Sequence, residues 1–300
     1  MFGPIRCVTI TCPDPAASAA LYTDTLDYTP VEAPGLIPTD LAASWGAPAE
    51  AGQDQILLQP ASGEPVFIRL LARDGGGEPY APLKTWGWNA AELIVRDVDA
   101  LAQRLADSPW RIIGPPADLS FTDAIRAMQV EGPAGDVLYL TQFKRRLPEF
   151  DTPEPRCDVC RTFIVILGGP DLEALKQFYG RHFGVPDAPT MEAEVSVLSN
   201  ANDLPPQTVH RICAMPLDGQ SFIEADAFPA GTQARGRSAE RLAPGIAMVS
   251  FEVDDLARVA PEVETLAARC AQPPYFGARA VTVYGPAGEA IELIERPAAT

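Results

Sequence analysis

An α+β fold, in which four similar β-α-β units pair within two tandem domains, is what this 300-residue sequence predicts. Three observations carry it. The stretch Gly132-Pro133-Ala134-Gly135-Asp136-Val137-Leu138-Tyr139-Leu140 returns as Gly285-Pro286-Ala287-Gly288-Glu289-Ala290-Ile291-Glu292-Leu293, at an offset of 285 − 132 = 153 residues. Each copy is a Gly-Pro-x-Gly turn leading into a short alternating strand. A strand followed by an aspartate that opens a helix recurs at Asp14, Asp97, Asp171 and Asp254 or Asp255. Between the halves, Phe143 to Cys160 has no hydrophobic period and carries Pro148, Pro153 and Pro155 after the basic run Lys144-Arg145-Arg146, the signature of a boundary. The expected division is a first domain over 1–145, a linker over 146–157 and a second domain over 158–297. A chain of this length allows two domains of roughly 150 residues each.

The elements follow in order. Ile5 to Ile10 is a strand by its β-branched residues. Asp14 then Pro15 starts a helix, with a capping carboxylate and a proline where a missing N–H costs nothing. Gln55–Leu58 and Val66–Leu71 are strands joined by the turn Ala61-Ser62-Gly63. Ala91–Val95 begins the next unit, with Val98, Leu101 and Leu105 on one helix face. Ala127–Val130 and Val137–Leu140 close it. The second half restates the first: Phe163–Leu167 is a strand, Asp171 caps a helix, and strands follow at Val209–Met215 and Ser221–Ala225. Asp171 stands eight residues before Tyr179, as Asp14 stands before Tyr22. Met248–Val253 then leads into a helix expected to turn Leu256, Val259, Val263 and Leu266 inward, and Val281–Tyr284 and Ala290–Ile294 finish the chain.

Composition narrows the function. A hydrophobic content of 47% with 21% charged residues suits globular cores and argues against disorder. No apolar run approaches the ~18 residues of a membrane span. The start, Met1 to Arg6, has no signal-peptide core, so the expected location is cytoplasmic and the six cysteines are expected to be reduced. A net charge of −17 repels phosphate backbones, which argues against a nucleic-acid partner. The expected partner is a small molecule, with no membrane and no nucleic acid involved. A homodimer is left open.

The element order, with Phe251-Glu252-Val253-Asp254-Asp255-Leu256 and Gly285 to Leu293, resembles the vicinal oxygen chelate superfamily, which includes glyoxalase I, extradiol dioxygenases and bleomycin-resistance proteins. The resemblance covers about residues 4–142 and 161–296. It implies βαβββ modules whose curved, mostly antiparallel sheets form open barrels. In the metalloenzymes of that group the first strand of a module often supplies His and the last strand Glu. The corresponding first-strand positions, seven residues before each capping aspartate, hold Cys7, Ala90, Ile164 and Met248. The last-strand positions hold Arg69, Tyr139, Glu224 and Glu292. Neither domain offers the family's ligands, so no metal and no other cofactor is expected. The lone Cys157-Asp158-Val159-Cys160 lacks the second pair a zinc site needs.

Glu292 and Glu224 are the expected catalytic carboxylates, taken to share the pocket of the second domain. Two carboxylates in one apolar pocket raise at least one pKa and supply a base. His210 is the expected catalytic partner of Glu224, with Arg211 opposite Glu224 if Pro216 to Gly219 is a four-residue turn and His210 there if the register slips by one. Arg211, Met248, Ile164, Arg69, Tyr139 and Cys7 are the expected ligand-binding positions; Cys7 is also readable as a buried inert thiol. Three functions are compatible with this set. One is a metal-independent lyase or isomerase acting on a small aromatic or carbonyl compound, and another is a sequestering protein of the bleomycin-resistance type. The third is a metal-dependent dioxygenase or glyoxalase with atypical ligands.

Overall fold

The computed structural model describes residues 2–31, 34–73, 80–147, 151–236, 238 and 240–296. Four modules follow one another. The first holds β1 (Phe2–Cys12), α1 (Pro15–Leu26), β2 (Tyr28–Pro30), β3 (Gly35–Leu36), α2 (Thr39–Ser44), β4 (Asp54–Pro60) and β5 (Phe67–Ala72). The second holds β6 (Gly87–Val95), α3 (Val98–Leu105), β7 (Arg111–Leu119), β8 (Thr122–Glu131) and β9 (Val137–Phe143). The third holds β10 (Val159–Gly169), α4 (Leu172–Phe183), β11 (Met191–Glu194), α5 (Ser196–Ala201), β12 (Val209–Leu217) and β13 (Ser221–Ala227). The fourth holds β14 (Gly245–Val253), α6 (Leu256–Val259), β15 (Ala268–Arg269), β16 (Arg279–Tyr284) and β17 (Ala290–Glu295).

All four capping aspartates behave as the sequence indicates. Asp14 accepts from the amides of Ala16 and Ala17, Asp97 from Asp99 and Ala100, Asp171 from Ala174 and Asp255 from Ala257. Each such cap is worth about 1 kcal/mol. The fourth helix, however, is one turn long instead of reaching Leu266. Pro261 cannot donate to the preceding turn and forces Ala260 out of the helical region, to φ −145 and ψ 52. Leu266 is consequently 61% exposed.

The modules form two curled, mostly antiparallel sheets. One runs β15-β16-β17-β14-β1-β5-β4-β2, with β3 on β4, and the other β11-β12-β13-β10-β6-β9-β8-β7. The first sheet therefore joins the first and fourth modules, and the second sheet joins the second and third. This corrects the expectation that residues 1–145 build one barrel and 158–297 the other. The physical reason lies in the module edges: each first strand presents an unpaired edge, and β1 zips antiparallel onto β14 while β10 zips onto β6. A proline-rich boundary marks where periodicity stops, and says nothing of which edges pair. The stretch after β9 connects the two halves of one sheet; Pro148, within it, lies outside the described residues.

The convex faces pack back to back with α1, α3 and α4 in one continuous core that includes Val8, Leu93, Val165, Phe251 and Trp88. The repeated turns latch this core across the two sheets. The Tyr22 hydroxyl on α1 donates to Asp136 Oδ2 at 2.6 Å, and Tyr179 on α4 donates to Glu289 Oε1 at 3.2 Å. These carboxyls are the fifth residues of the two Gly-Pro-Ala-Gly stretches, so the turn motif and the aspartate-to-tyrosine spacing meet in one contact. Burial raises both, Asp136 to about 6 and Glu289 to about 7, with the tyrosine bonds pulling the other way. The concave faces are left for the sites.

Candidate functional site

The concave face of the second sheet encloses a cavity of about 360 Å³. Strand alternation decides what it sees, because residues two apart share a face. On β6 that face carries Glu92, which pairs in register with Tyr139 on β9 and Ile164 on β10. On β13 it carries Glu224, paired with Ile166 on β10 and Ala214 on β12, and then Asp226. Val195, Ser196 and Val197, at the start of α5, line it as well. So do Ser120 and Phe121 at the tip between β7 and β8.

The electrostatics are one-sided. Burial, and then the charge of Glu224, push Glu92 up to about 8, while the hydroxyl of Thr141 works in the opposite direction. Burial pushes Glu224 up to about 7. Asp226 is raised by burial and then by the charges of Glu224 and Glu92. Its Oδ1 is buried and has no hydrogen-bond partner, and the same holds for the Tyr139 hydroxyl. Among the described residues no Lys, Arg or His lines the cavity.

Three of the expected residues meet here: Glu224, Tyr139 and Ile164. Four others lie in the opposite sheet, where Glu292, Arg69, Met248 and Cys7 are all at most 1% exposed. That interior is plugged. The Trp45 indole, just past α2, donates to Glu292 Oε1 at 2.6 Å; Tyr275 donates to the same oxygen at 2.8 Å, and Ser250 donates to Oε2. Arg69 donates to the Tyr275 hydroxyl at 3.0 Å, and its guanidinium lies 5.1 Å from the centre of the Trp45 ring. Glu292 is thus a core acid with its hydrogen bonds filled, and it does not share a pocket with Glu224. Met248 takes a contact from the Thr282 hydroxyl at 3.5 Å, and burial pushes the Cys7 thiol up to about 11, which leaves it inert.

Neither candidate partner of Glu224 stands opposite it. The strands β12 and β13 run on to Leu217 and Ser221, so the connection is shorter than four residues and Ala214 takes the opposing place. Arg211 points outward to Glu173 at 2.8 Å. His210 is buried beyond Ile212 and shares a hydrogen bond with Ser199 on α5 at 2.8 Å; burial lowers its pKa. The bond ties β12 to α5.

Glu92 and Asp226 escaped sequence reasoning, although both left a trace. Glu92 is the one charge in the otherwise apolar run from Ala90 to Val95, and Glu224-Ala225-Asp226 alternates acids onto one face. The metal positions of the resembling enzymes hold Ala90, Tyr139, Ile164 and Glu224 around the cavity, and Cys7, Arg69, Met248 and Glu292 in the plugged interior. The first set offers one carboxylate and the second sets a guanidinium in a ligand's place, so neither is a divalent-metal donor set. Among the described residues no three His, Cys, Asp or Glu side chains converge as ligands would.

The sequence matches no protein-family model and no curated protein. Solved structures do resemble it over nearly its whole length. Glyoxalase I from Zea mays superposes with a TM-score of 0.63 at 17% identity, covering 97% of this chain and 92% of that one. A proposed dioxygenase from Bacillus subtilis superposes with a TM-score of 0.62 at 12% identity, covering 99% of this chain and 86% of that one. Among the described residues no helix is long and apolar enough to cross a membrane. Its four modules, two curled sheets and end-to-end superposition give this chain the glyoxalase-like fold of the vicinal oxygen chelate superfamily.

Proposed function

We propose that the protein binds a small, largely apolar compound in the cavity of the second sheet and moves a proton on it without a metal, as a lyase or isomerase does. One observation carries the reading. Glu92 and Glu224 face one apolar cavity with pKa values raised to about 8 and about 7, where one acts as base and the other as acid at neutral pH. Groups titrating near the working pH combine the right protonation state with a usable driving force, and such a pair contributes about 10²–10⁴-fold. In this scheme the ionised member takes a proton from carbon. The protonated member returns one elsewhere on the compound. The unpartnered Tyr139 hydroxyl donates to the oxygen that gains charge between the two steps. Val195 to Val197 add apolar wall beside the reacting groups.

Hydrogen exchange tests this. The compound retained by the purified protein is identified by native mass spectrometry and incubated in D₂O with wild type and with Glu224→Gln. The expected result is deuterium on carbon with wild type and at least ~100-fold slower incorporation with the variant. Retention of the compound with no exchange in either protein would make this a sequestering protein of the kind named above.

A further inference from the structure

We infer that the ligand of this cavity carries a positive charge, an ammonium or other organic cation attached to an apolar, ring-sized body. The inference rests on the cavity being the ligand site and names the class of compound it takes.

Four observations lead there. Glu92 and Glu224 line the cavity from β6 and β13, the two strands that flank β10, Asp226 follows Glu224 on the same face of β13, and the described wall holds no basic residue to balance them. Acids buried without a cation are costly, and a protein that keeps three of them together without internal compensation leaves the compensation to something that enters. The remaining wall is apolar and aromatic: Tyr139, Phe143 and Phe222 present rings to the same space, and ring faces attract cations. Finally, the Tyr139 hydroxyl and Asp226 Oδ1 are buried without partners, 7% and 2% exposed as residues, so acceptors stand ready beside the acids.

The opposite sheet shows what happens when the cation is built in. There Arg69 occupies the last-strand position that Glu224 holds here, and its charge, with Trp45 and Tyr275 around it, closes the interior. The open cavity has the same aromatic-and-acid chemistry with the cation missing from the chain.

The charges around the acids are accounted for. Glu194 lies at the rim; Asp118, also lining the cavity, is already tied to Lys144 at 2.9 Å and Arg126 at 3.3 Å, and His210 is engaged with Ser199. An entering ammonium meets a pair in which Glu92, raised to about 8, still holds its proton at neutral pH. Pairing favours the ionised form, so binding expels a proton from the cluster to solvent. That release is a readout a neutral ligand does not give.

Calorimetry with three probes of one shape tests the inference: 2-naphthylmethylamine, 2-naphthylmethanol and 2-naphthoate, titrated into wild type at pH 7 in two buffers of different ionisation enthalpy. The expected result is that the amine binds about tenfold or more tighter than the alcohol, with net proton release. The carboxylate should bind weakest. The advantage of the amine should vanish in Glu92→Gln/Glu224→Gln, whose thermal melt confirms folding, and in wild type at pH 5. Equal binding of amine and alcohol, with the alcohol competing for the same cavity, overturns the cation while leaving the cavity as the site. An amine preference that survives in the double variant also overturns it. Binding of no probe, with the native compound found elsewhere, overturns both readings.

Discussion

The two curled sheets are built from the same parts and do opposite things with their concave faces. The sheet of the first and fourth modules fills its interior with its own side chains, and the sheet of the second and third keeps a cavity. The difference traces to a few positions. Trp45 follows α2, as Asn202 follows α5, and the spacing is the one that relates the helix caps and latch tyrosines: 202 − 45, 171 − 14 and 179 − 22 all equal 157. Trp45 enters its barrel and donates to Glu292. Asn202 folds back, donating to Leu198 and Leu83 carbonyls at 2.9 and 3.0 Å. At the last strands, Arg69 and Glu292 balance each other around Tyr275, whereas Glu224 and Tyr139 face open space. One barrel has been made into core by a large aromatic and a balanced charge; the other has been kept for an occupant.

The largest effect should come from emptying the filled barrel. Trp45→Ala removes a fully buried indole and strips a hydrogen bond from a buried carboxylate. It is expected to cost about 3–5 kcal/mol, measured by urea unfolding. Probe binding in the other cavity should persist under conditions where the variant is folded. Glu292→Gln should likewise lower stability and leave that binding alone. If Glu292→Gln abolishes binding, the working interior is the plugged one and the comparison is inverted.

Filling the open barrel is the complementary experiment. Ile164→Trp places an indole against Glu92 and Glu224 where the wall is only half-buried. Ligand affinity should fall by about 100-fold or more, while the unfolding free energy shifts by less than about 1.5 kcal/mol, because the new ring enters space already present. A large loss of stability without loss of affinity would mean that the cavity is core.

Much of this was legible in the sequence. The aspartate caps and the Gly-Pro-Ala-Gly turns place the modules, because capping and turn chemistry are local. Which modules share a sheet was hidden, because the first strands β1, β6, β10 and β14 are buried along nearly their whole length and carry no pattern that names a partner. Glu292 was misread for the same reason: its inward direction follows from alternation, but the indole that satisfies it comes from residue 45. That Glu224, Tyr139 and Ile164 line the cavity was legible, because the direction of their side chains follows from strand period alone.

Titration separates the two barrels more gently. Glu92 and Glu224 have folded-state pKa values of about 8 and about 7, above the ordinary 4.5. The folded chain therefore binds more protons than the unfolded one. The stability these groups allow is complete below about pH 4.5 and is lost as pH rises through 7 and 8. Glu92→Gln/Glu224→Gln should be more stable than wild type by about 1–3 kcal/mol at pH 8.5 and indistinguishable from it at pH 4.5, by denaturant titration at each pH. A saturating cationic probe should flatten the wild-type profile in the same way.

The smallest effects belong to the two latches that hold the barrels together. Tyr22→Phe removes the donor to Asp136, and Tyr179→Phe the donor to Glu289. Each leaves a buried carboxyl short of one partner, a loss of about 1–2 kcal/mol when the acid is ionised and less when it is protonated. Both acids are raised above their unfolded values, so their contribution is present at low pH and lost as pH climbs through about 6 for Asp136 and about 7 for Glu289. The tyrosine bonds limit that loss by favouring the ionised forms. The penalty of Tyr22→Phe should therefore appear first, between pH 5 and 7, and that of Tyr179→Phe about one unit higher. The Tyr22 penalty should also be the larger, since its bond is 2.6 Å against 3.2 Å. Equal penalties at every pH would show that the rings act through packing alone. In that case the two sheets are joined by their apolar faces without help from the repeated turns.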